Sequence, residues 1–251
     1  MFEALSAESG NVTLRRRIIL ALREVFLIVV AVLIAIGLES LWQDHQDRGE
    51  ERELLEALHE EMEANSVELQ RWINLHEMVR SSAANLLETV RAVSPGTEVP
   101  VPDTLISDII RTPTYQPQLS VLETALSSGS IGLLRNVTLR RDLDGWSRGL
   151  EEAQEEERKG LQFVESHLIP HLLVTVDLEA AQESLVEFAA AHSAGRPAPP
   201  RSGATSVLRT GSLLPNLLAR RIFFAGFAMA ELRVLQTSMD RIIEGIEEEL
   251  R

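Results

Sequence analysis

Apolar positions along this chain follow two regimes, and the change between them organises everything else. From Val25 to Leu38 the residues are apolar without interruption except Gly37. Ile18 to Leu22 precede that run and Leu41-Trp42 follow it, so the segment 18–42 extends about 37 Å as a helix, enough to cross a bilayer core. Beyond it the pattern becomes periodic. Leu55, Leu58, Met62, Asn65, Leu69, Trp72, His76, Val79, Ala83, Leu86 and Val90 recur at alternating steps of three and four, a heptad seam. The next proline is Pro95, so one helix is predicted from the apolar segment to about residue 93. Its first half is narrow, flanked by Glu60, Glu61, Glu63 and Glu68. From Trp72 the stripe widens with Ile73, Leu75 and Leu87, and the distal half is expected to be the better buried.

The C-terminal segment mirrors this. Ile222, Ala225, Met229, Leu232, Gln236, Met239, Ile243, Ile246 and Leu250 keep the same rhythm, with Phe223, Phe224 and Phe227 at the start. Matching wide end to wide end predicts antiparallel pairing, with Leu69 and Trp72 buried against Met229 and Leu232. A third helix is predicted from an Asn136 N-cap through Leu139, Leu143, Trp146, Leu150, Ala153, Glu157, Gly160, Val164 and His167, to be ended or kinked at Pro170. Short helices are expected at about 103–110, 119–128 and 178–190, with Gly129 just past the second. Segments 94–103, 112–118 and 192–203 read as irregular, and no strand of convincing alternation is present. The fold class is therefore all-α: an N-terminal transmembrane helix continuing into an antiparallel helical bundle with long, coiled-coil-like helices.

Flanking charge sets the expected orientation. Arg15-Arg16-Arg17 precede the apolar segment, and Arg48 and Arg52 are the nearest basic residues after it. The positive-inside rule then leaves 1–17 as a short cytoplasmic tail, 18–42 as an uncleaved anchor and 43–251 as an extracytoplasmic helical bundle. No small-residue cleavage site follows the apolar run, which argues against a signal peptide. Arg23 and Glu24 fall near one interface, Glu39 and Trp42 near the other. Ala31 and Ala35 form a small-xxx-small pair that suits close approach of a second span. These six are the candidate membrane or partner contacts.

The stretch Glu24-Val25-Phe26-Leu27-Ile28-Val29-Val30-Ala31-Val32-Leu33-Ile34-Ala35-Ile36, then Trp42 and an acidic helix ending near Glu63-Ala64-Asn65, resembles the start of a family of uncharacterised bacterial single-pass membrane proteins. Val121 to Gly129, with Arg135-Asn136 and Leu139-Arg140, is similar to that family's second recurring patch. Leu38-Glu39-Ser40 departs from the asparagine-rich exit of the family pattern. The resemblance implies an architecture and no reaction.

Composition narrows function further. Thirty-eight acidic against 24 basic residues give a formal net charge of -14, and aromatics are 4%, a surface that repels nucleic acid. Cysteine is absent, which removes disulfides and thiolate chemistry. Glu56-x-x-His59 has the spacing of a di-iron bundle motif, but no second copy exists, and it reads as a solvated helix face. His76, His167 and His171 lie on apolar stripes. Pro170 disturbs the i, i+4 pair, so a satisfied buried polar layer or a position near the bundle's end is expected of them in place of a metal, and no cofactor is expected. Tyr115, the chain's one tyrosine, is read as a loop anchor between Pro113 and Pro117.

Without a catalytic motif, the sequence points to a membrane-anchored interaction or scaffold module, an accessory subunit of a bacterial inner-membrane complex. Its expected partners are the lipid bilayer and another membrane protein or a second copy of itself, with no nucleic acid. The alternatives are a ligand-sensing extracytoplasmic bundle signalling through a separate partner and an enzyme of unrecognised type.

Overall fold

The computed structural model describes the backbone of residues 4–194, 196 and 203–251, and side chains among these except 4–25, 28, 180, 184, 192 and 193. The chain is mostly helical. Helix α1 (Ala4–Arg91) is a single element. Its residues fall in two compact units, Met1–Glu53 and Leu54–Arg251, so that residues 43–53, expected with the bundle, group with the N-terminal unit. Among the described residues no helix is long and apolar enough to cross a membrane. The predicted span lies in part on 18–25 and 28, whose side chains are outside the described residues, as are those of Arg23 and Glu24.

In the second unit, three long segments make the frame: α1 from Leu54, α4 (Val137–Phe163) and α7 (Leu214–Leu250). Their directions follow from residue pairs. Gln236 Nε2 donates to Ser66 Oγ at 2.8 Å and His59 lies 3.7 Å from Glu247, so α7 runs antiparallel to α1. A Cβ at Gly149 would stand 3.6 Å from Leu235, one at Gly160 3.7 Å from Phe224, and one at Gly245 3.6 Å from Leu139. Those pairs set α4 and α7 antiparallel, and Gly149, Ala153 and Gly160 are the small residues that let the two backbones approach.

One apolar cluster joins Leu55, Leu58, Met62 and Leu69 to Leu143, Trp146, Leu232, Met239 and Ile246. A second gathers Leu86 and Val90 with α2 (Asp103–Ile110), α5 (Ile169–Leu172), α6 (Glu179–Ser193) and the start of α7. Leu55, Leu58, Met62, Leu69, Val79, Leu86, Met229, Leu232, Met239 and Ile246 are all buried, while Ile243 is half-buried. Leu58 and Met62, in the narrow half of the seam, are as closed as Leu86 in the wide half. Two helices, α4 and α7, cover the narrow half, which corrects the expectation that the distal half is the better buried. Trp72 is a second correction: it is half-buried and packs at the margin of the cluster, and Trp146 is the tryptophan enclosed at its centre. Leu235 and Ile242, outside the predicted α7 stripe, are buried against α4.

The short elements fall where expected, with one exception. Asn136 caps α4, its Oδ1 accepting from the Thr138 and Leu139 amides at 3.0 Å. Gly129 ends α3 (Ser120–Ser128) at φ 80°, in the left-handed region. The exception is an antiparallel ribbon of β1 (Glu98–Pro102) and β2 (Thr205–Arg209), with Glu98 opposite Arg209 and Pro102 opposite Thr205. Each strand fully buries one side chain, Val101 or Leu208, and β1 carries two prolines, so alternation is too weak to mark them in the sequence.

Pro170 does not stop the third helix. Its ring has no N–H and would collide with the carbonyl four residues back in an α-helix. The chain instead widens into a π-turn over Val164–Leu168, with Ile169 N–H donating to Val164 O, and α5 continues beyond it. Arg221, buried in α7, closes the C-terminal end of α2 by donating to the Ile109 carbonyl at 2.9 Å and to that of Arg111. Burial pushes its guanidinium down to about 10, and the helix C-terminus supplies the negative end that retains its charge.

Candidate functional site

A groove of about 960 Å³ lies between α1 and the extended segment 111–119. Two periodicities build its walls. Ala57, Glu60, Glu61, Ala64, Glu68 and Trp72 lie on one face of α1 at helical spacing. Opposite them, Thr112, Thr114, Gln116, Gln118 and Ser120 alternate along extended chain, while Pro113 and Tyr115 between them are buried. One side of the segment is thus a polar ladder and the other is core.

This wall is fastened at several points. Asn65 donates Nδ2 to the Gln118 carbonyl at 2.7 Å and accepts from the Gln118 amide at 3.0 Å, pairing a helix side chain with extended backbone. Asn65 is a polar residue in the predicted seam, and its partner is a loop. Tyr115 is fully buried and donates its hydroxyl to the Asn65 carbonyl at 3.1 Å. Burial, with the charges of Glu68 and Glu157, holds that hydroxyl well above the usual tyrosine range. Glu61 accepts from the Val121 and Leu122 amides at 2.8 and 3.0 Å, placing a carboxylate at the start of α3, where orphan N–H groups and the helix dipole favour it.

Beneath the wall lies a buried ionisable pair. His76 Nε2 is 2.9 Å from Glu157 Oε1, and the other Glu157 oxygen accepts from the Tyr115 amide at 3.0 Å. Gln154 donates to the Tyr115 carbonyl at 3.2 Å, so α4 grips the same residue through both its peptide groups. Every oxygen of Glu157 therefore has work inside the fold. The pair is enclosed between α1, α4 and the segment backbone and fastens the three together.

The other histidines separate. His167 is exposed and stacks on Phe163, so it does not face inward as its stripe predicts. The π-turn rotates it outward. His171 has its Nε2 enclosed without a hydrogen-bond partner, and burial lowers its pKa from the ordinary 6.5. His59 is half-buried between Glu63 and Glu247, each at 3.7 Å, and so bridges α1 and α7 in place of the solvated face expected of it. Among the described residues no group of three or more His, Asp or Glu side chains is placed to hold a metal ion.

The first unit presents a different kind of surface. Phe26, Leu27, Val29, Val32, Leu33, Ile34, Ile36, Leu38, Leu41 and Trp42 are 49% to 70% exposed, and Ala31, Ala35 and Glu39 are exposed among them. At 100° per residue these positions point to every side of the helix. An apolar collar of this size is far beyond the scattered single side chains that a protein surface carries in water.

The groove's fastening by Asn65, Glu61 and Glu157 was missed in the sequence, though each leaves a trace there. Glu157 is an acid on an otherwise apolar stripe, as His76 is a base on another. Two polar residues at inward positions of facing helices are a pair waiting for a register. No family model, curated protein or solved structure matches this chain.

Proposed function

We propose that this protein is a membrane-tethered helical interaction module, with 18–42 as its anchor, the N-terminus cytoplasmic and 43–251 extracytoplasmic. It serves as an accessory or scaffold subunit of a bacterial inner-membrane complex and carries out no catalysis of its own. The observation that carries this reading is the apolar collar from Phe26 to Trp42, exposed on all sides of α1. Such a surface costs roughly 25 cal/mol for each Å² left in water, and lipid or a partner helix removes that cost. Ala31 and Ala35 supply the small face on which a second span packs closely. The kinship suggested by the Glu24-to-Trp42 motif, with single-pass bacterial membrane proteins, agrees with the same reading.

The bundle's polar interior supports binding over chemistry. The His76–Glu157 pair and Asn65 are consumed in holding the segment 111–119 and Glu61 in holding the start of α3, which leaves a preformed groove whose shape does not have to be organised when a partner arrives. A ligand-sensing bundle is the second reading, favoured by the size of that groove.

A photo-crosslinking amino acid placed at Ala35 and, separately, at Gln116 tests the proposal in native membranes. The Ala35 position should yield lipid adducts and one stoichiometric membrane protein or second copy, and Gln116 one discrete adduct outside the bilayer. Adducts from Ala35 to soluble proteins alone contradict the reading. A small molecule captured at Gln116, with no protein at either position, favours the sensor.

A further inference from the structure

At the junction of α4 and α7 lies a second cavity, of about 550 Å³, lined by Lys159, Gln162, Phe163, His167, Arg220 and Phe224. Its floor is aromatic. The Phe163 and Phe224 rings are 5.3 Å apart and tilted by 40°, and the His167 ring stacks on the outer face of Phe163 at 5.7 Å and 11°. Gly160, one turn before Phe163, lets α7 approach until a Cβ there would be 3.7 Å from that of Phe224, which brings the two phenylalanines together.

The rim is cationic, in a chain of net charge -14. The chain's one lysine, Lys159, stands here, and no acidic residue lines the cavity. Lys159 shares an exposed contact with Glu156 at 2.7 Å, a surface pair of the kind worth little and easily exchanged. Arg220 is exposed and lies over the faces of Phe224 and Phe223, 4.5 and 4.8 Å from their centroids. Among the described residues it has no carboxylate partner. The rings hold the guanidinium plane in place while leaving its N–H edges free to donate.

His167 reaches the cavity from the π-turn Val164–Leu168. This widening, forced by Pro170, carries His167 out of the core stripe and onto the Phe163 face. Single π-turns of this kind concentrate at functional sites. The turn thus converts a position that periodicity assigns to the core into the third basic group of the rim.

The geometry points to a binding site for a small amphipathic anion, a flat aromatic carboxylate whose ring packs beside Phe163, His167 and Phe224 and whose carboxylate is taken by Arg220 and Lys159. A cavity of this volume is in the range that takes small molecules, and a guanidinium with a free edge recognises a carboxylate through two parallel hydrogen bonds. The inference does not depend on membrane attachment or on the groove beside α1. It assigns a site to a different pair of helices.

Equilibrium dialysis of the full chain in detergent against naphthalene-2-carboxylate tests it, with the neutral carboxamide and the cationic methylamine of the same ring as companions. Protein-free micelles correct for partition of the ring into detergent. The carboxylate should bind saturably, about tenfold or more tighter than the carboxamide, and the amine should not bind. Arg220→Gln and Lys159→Gln, both at exposed positions, should each weaken the carboxylate several-fold while leaving the melting temperature unchanged. Equal binding of carboxylate and carboxamide would overturn the proposal, because the cavity would then be merely apolar. So would unchanged binding in the Arg220→Gln, Lys159→Gln double variant, or absence of saturable binding.

Discussion

Glu157 joins three parts of the bundle through one carboxyl group, and its partner His76 reaches it from α1 at 2.9 Å with both side chains closed off from solvent. One Glu157 oxygen meets the imidazole and the other the Tyr115 amide, so helix α1, helix α4 and the extended segment share a single fastening.

Removing one member of such a pair should cost more than removing its charge. His76→Leu leaves Glu157 buried with one partner gone, and a loss of about 3–5 kcal/mol is expected in urea unfolding. Adding Glu157→Gln to it should recover part of that loss, because the amide still accepts from Tyr115 N–H and has no charge to bury. A double variant no more stable than His76→Leu alone would contradict this account of the pair.

The two bundle tryptophans should separate in the same assay. Trp146 is enclosed in the first core cluster, and Trp146→Ala should cost about 3–5 kcal/mol. Trp72 is half-buried at the groove, so Trp72→Ala should cost clearly less. The reverse order would place the centre of the core at Trp72.

Glycines in α4 divide by what surrounds them. Nothing lies within 4 Å of a Cβ built at Gly145, so Gly145→Ala should raise stability by up to about 1 kcal/mol through helix propensity alone. At Gly160 a Cβ meets Arg221 and Phe224 at 3.7 Å, ordinary contact, so alanine is tolerated there and leucine should lower the melting temperature.

His171 gives the bundle an acid sensitivity of defined sign. Burial lowers its folded-state pKa below 6.5, so the unfolded chain takes up this proton first. Its contribution is complete above about pH 6.5 and is lost as pH falls toward the folded value. His171→Gln should flatten the fall in melting temperature over that window, seen as the difference between the two pH curves. Identical curves would show that the proton binds equally in both states.

Much of the helical layout was legible because the bundle rests on local rules. Asn136 caps α4, Gly129 ends α3, and α2 runs over Asp103–Ile110 where its composition placed it. Side-chain periodicity located the seams as far as one stripe per helix. It missed Leu235 and Ile242, because α7 has two neighbours and a second buried face. The ribbon escaped because Val101 and Leu208 are its only fully buried side chains and the two strands pair across a hundred residues of sequence, Val101 with Ser206 and Leu208 with Val99. The groove escaped for a similar reason: Pro113 and Pro117 make Thr112 to Ser120 read as irregular, and which side faces inward is fixed by Asn65 and Glu157 on other elements. His167 was misplaced because Pro170 acts on the turn before it, and no periodicity carries that displacement.

The orientation proposed for the tether rests on Arg15-Arg16-Arg17 against the acidic exit. A reporter active only outside the cytoplasm, fused to Arg251, should be active, and one active only in the cytoplasm should be silent. Replacing the three arginines by glutamine should give mixed orientation. The opposite reporter pattern inverts the orientation.

The central claim is that the collar from Phe26 to Trp42 is embedded in lipid, and alkaline carbonate extraction of membranes tests it most directly. The full chain should stay in the membrane pellet. A variant carrying Leu33→Arg and Ile36→Asp, each costing about 2.5–3.5 kcal/mol at mid-span, should move to the supernatant. Release of the unaltered chain by carbonate would contradict the account and leave the collar to be covered by protein alone.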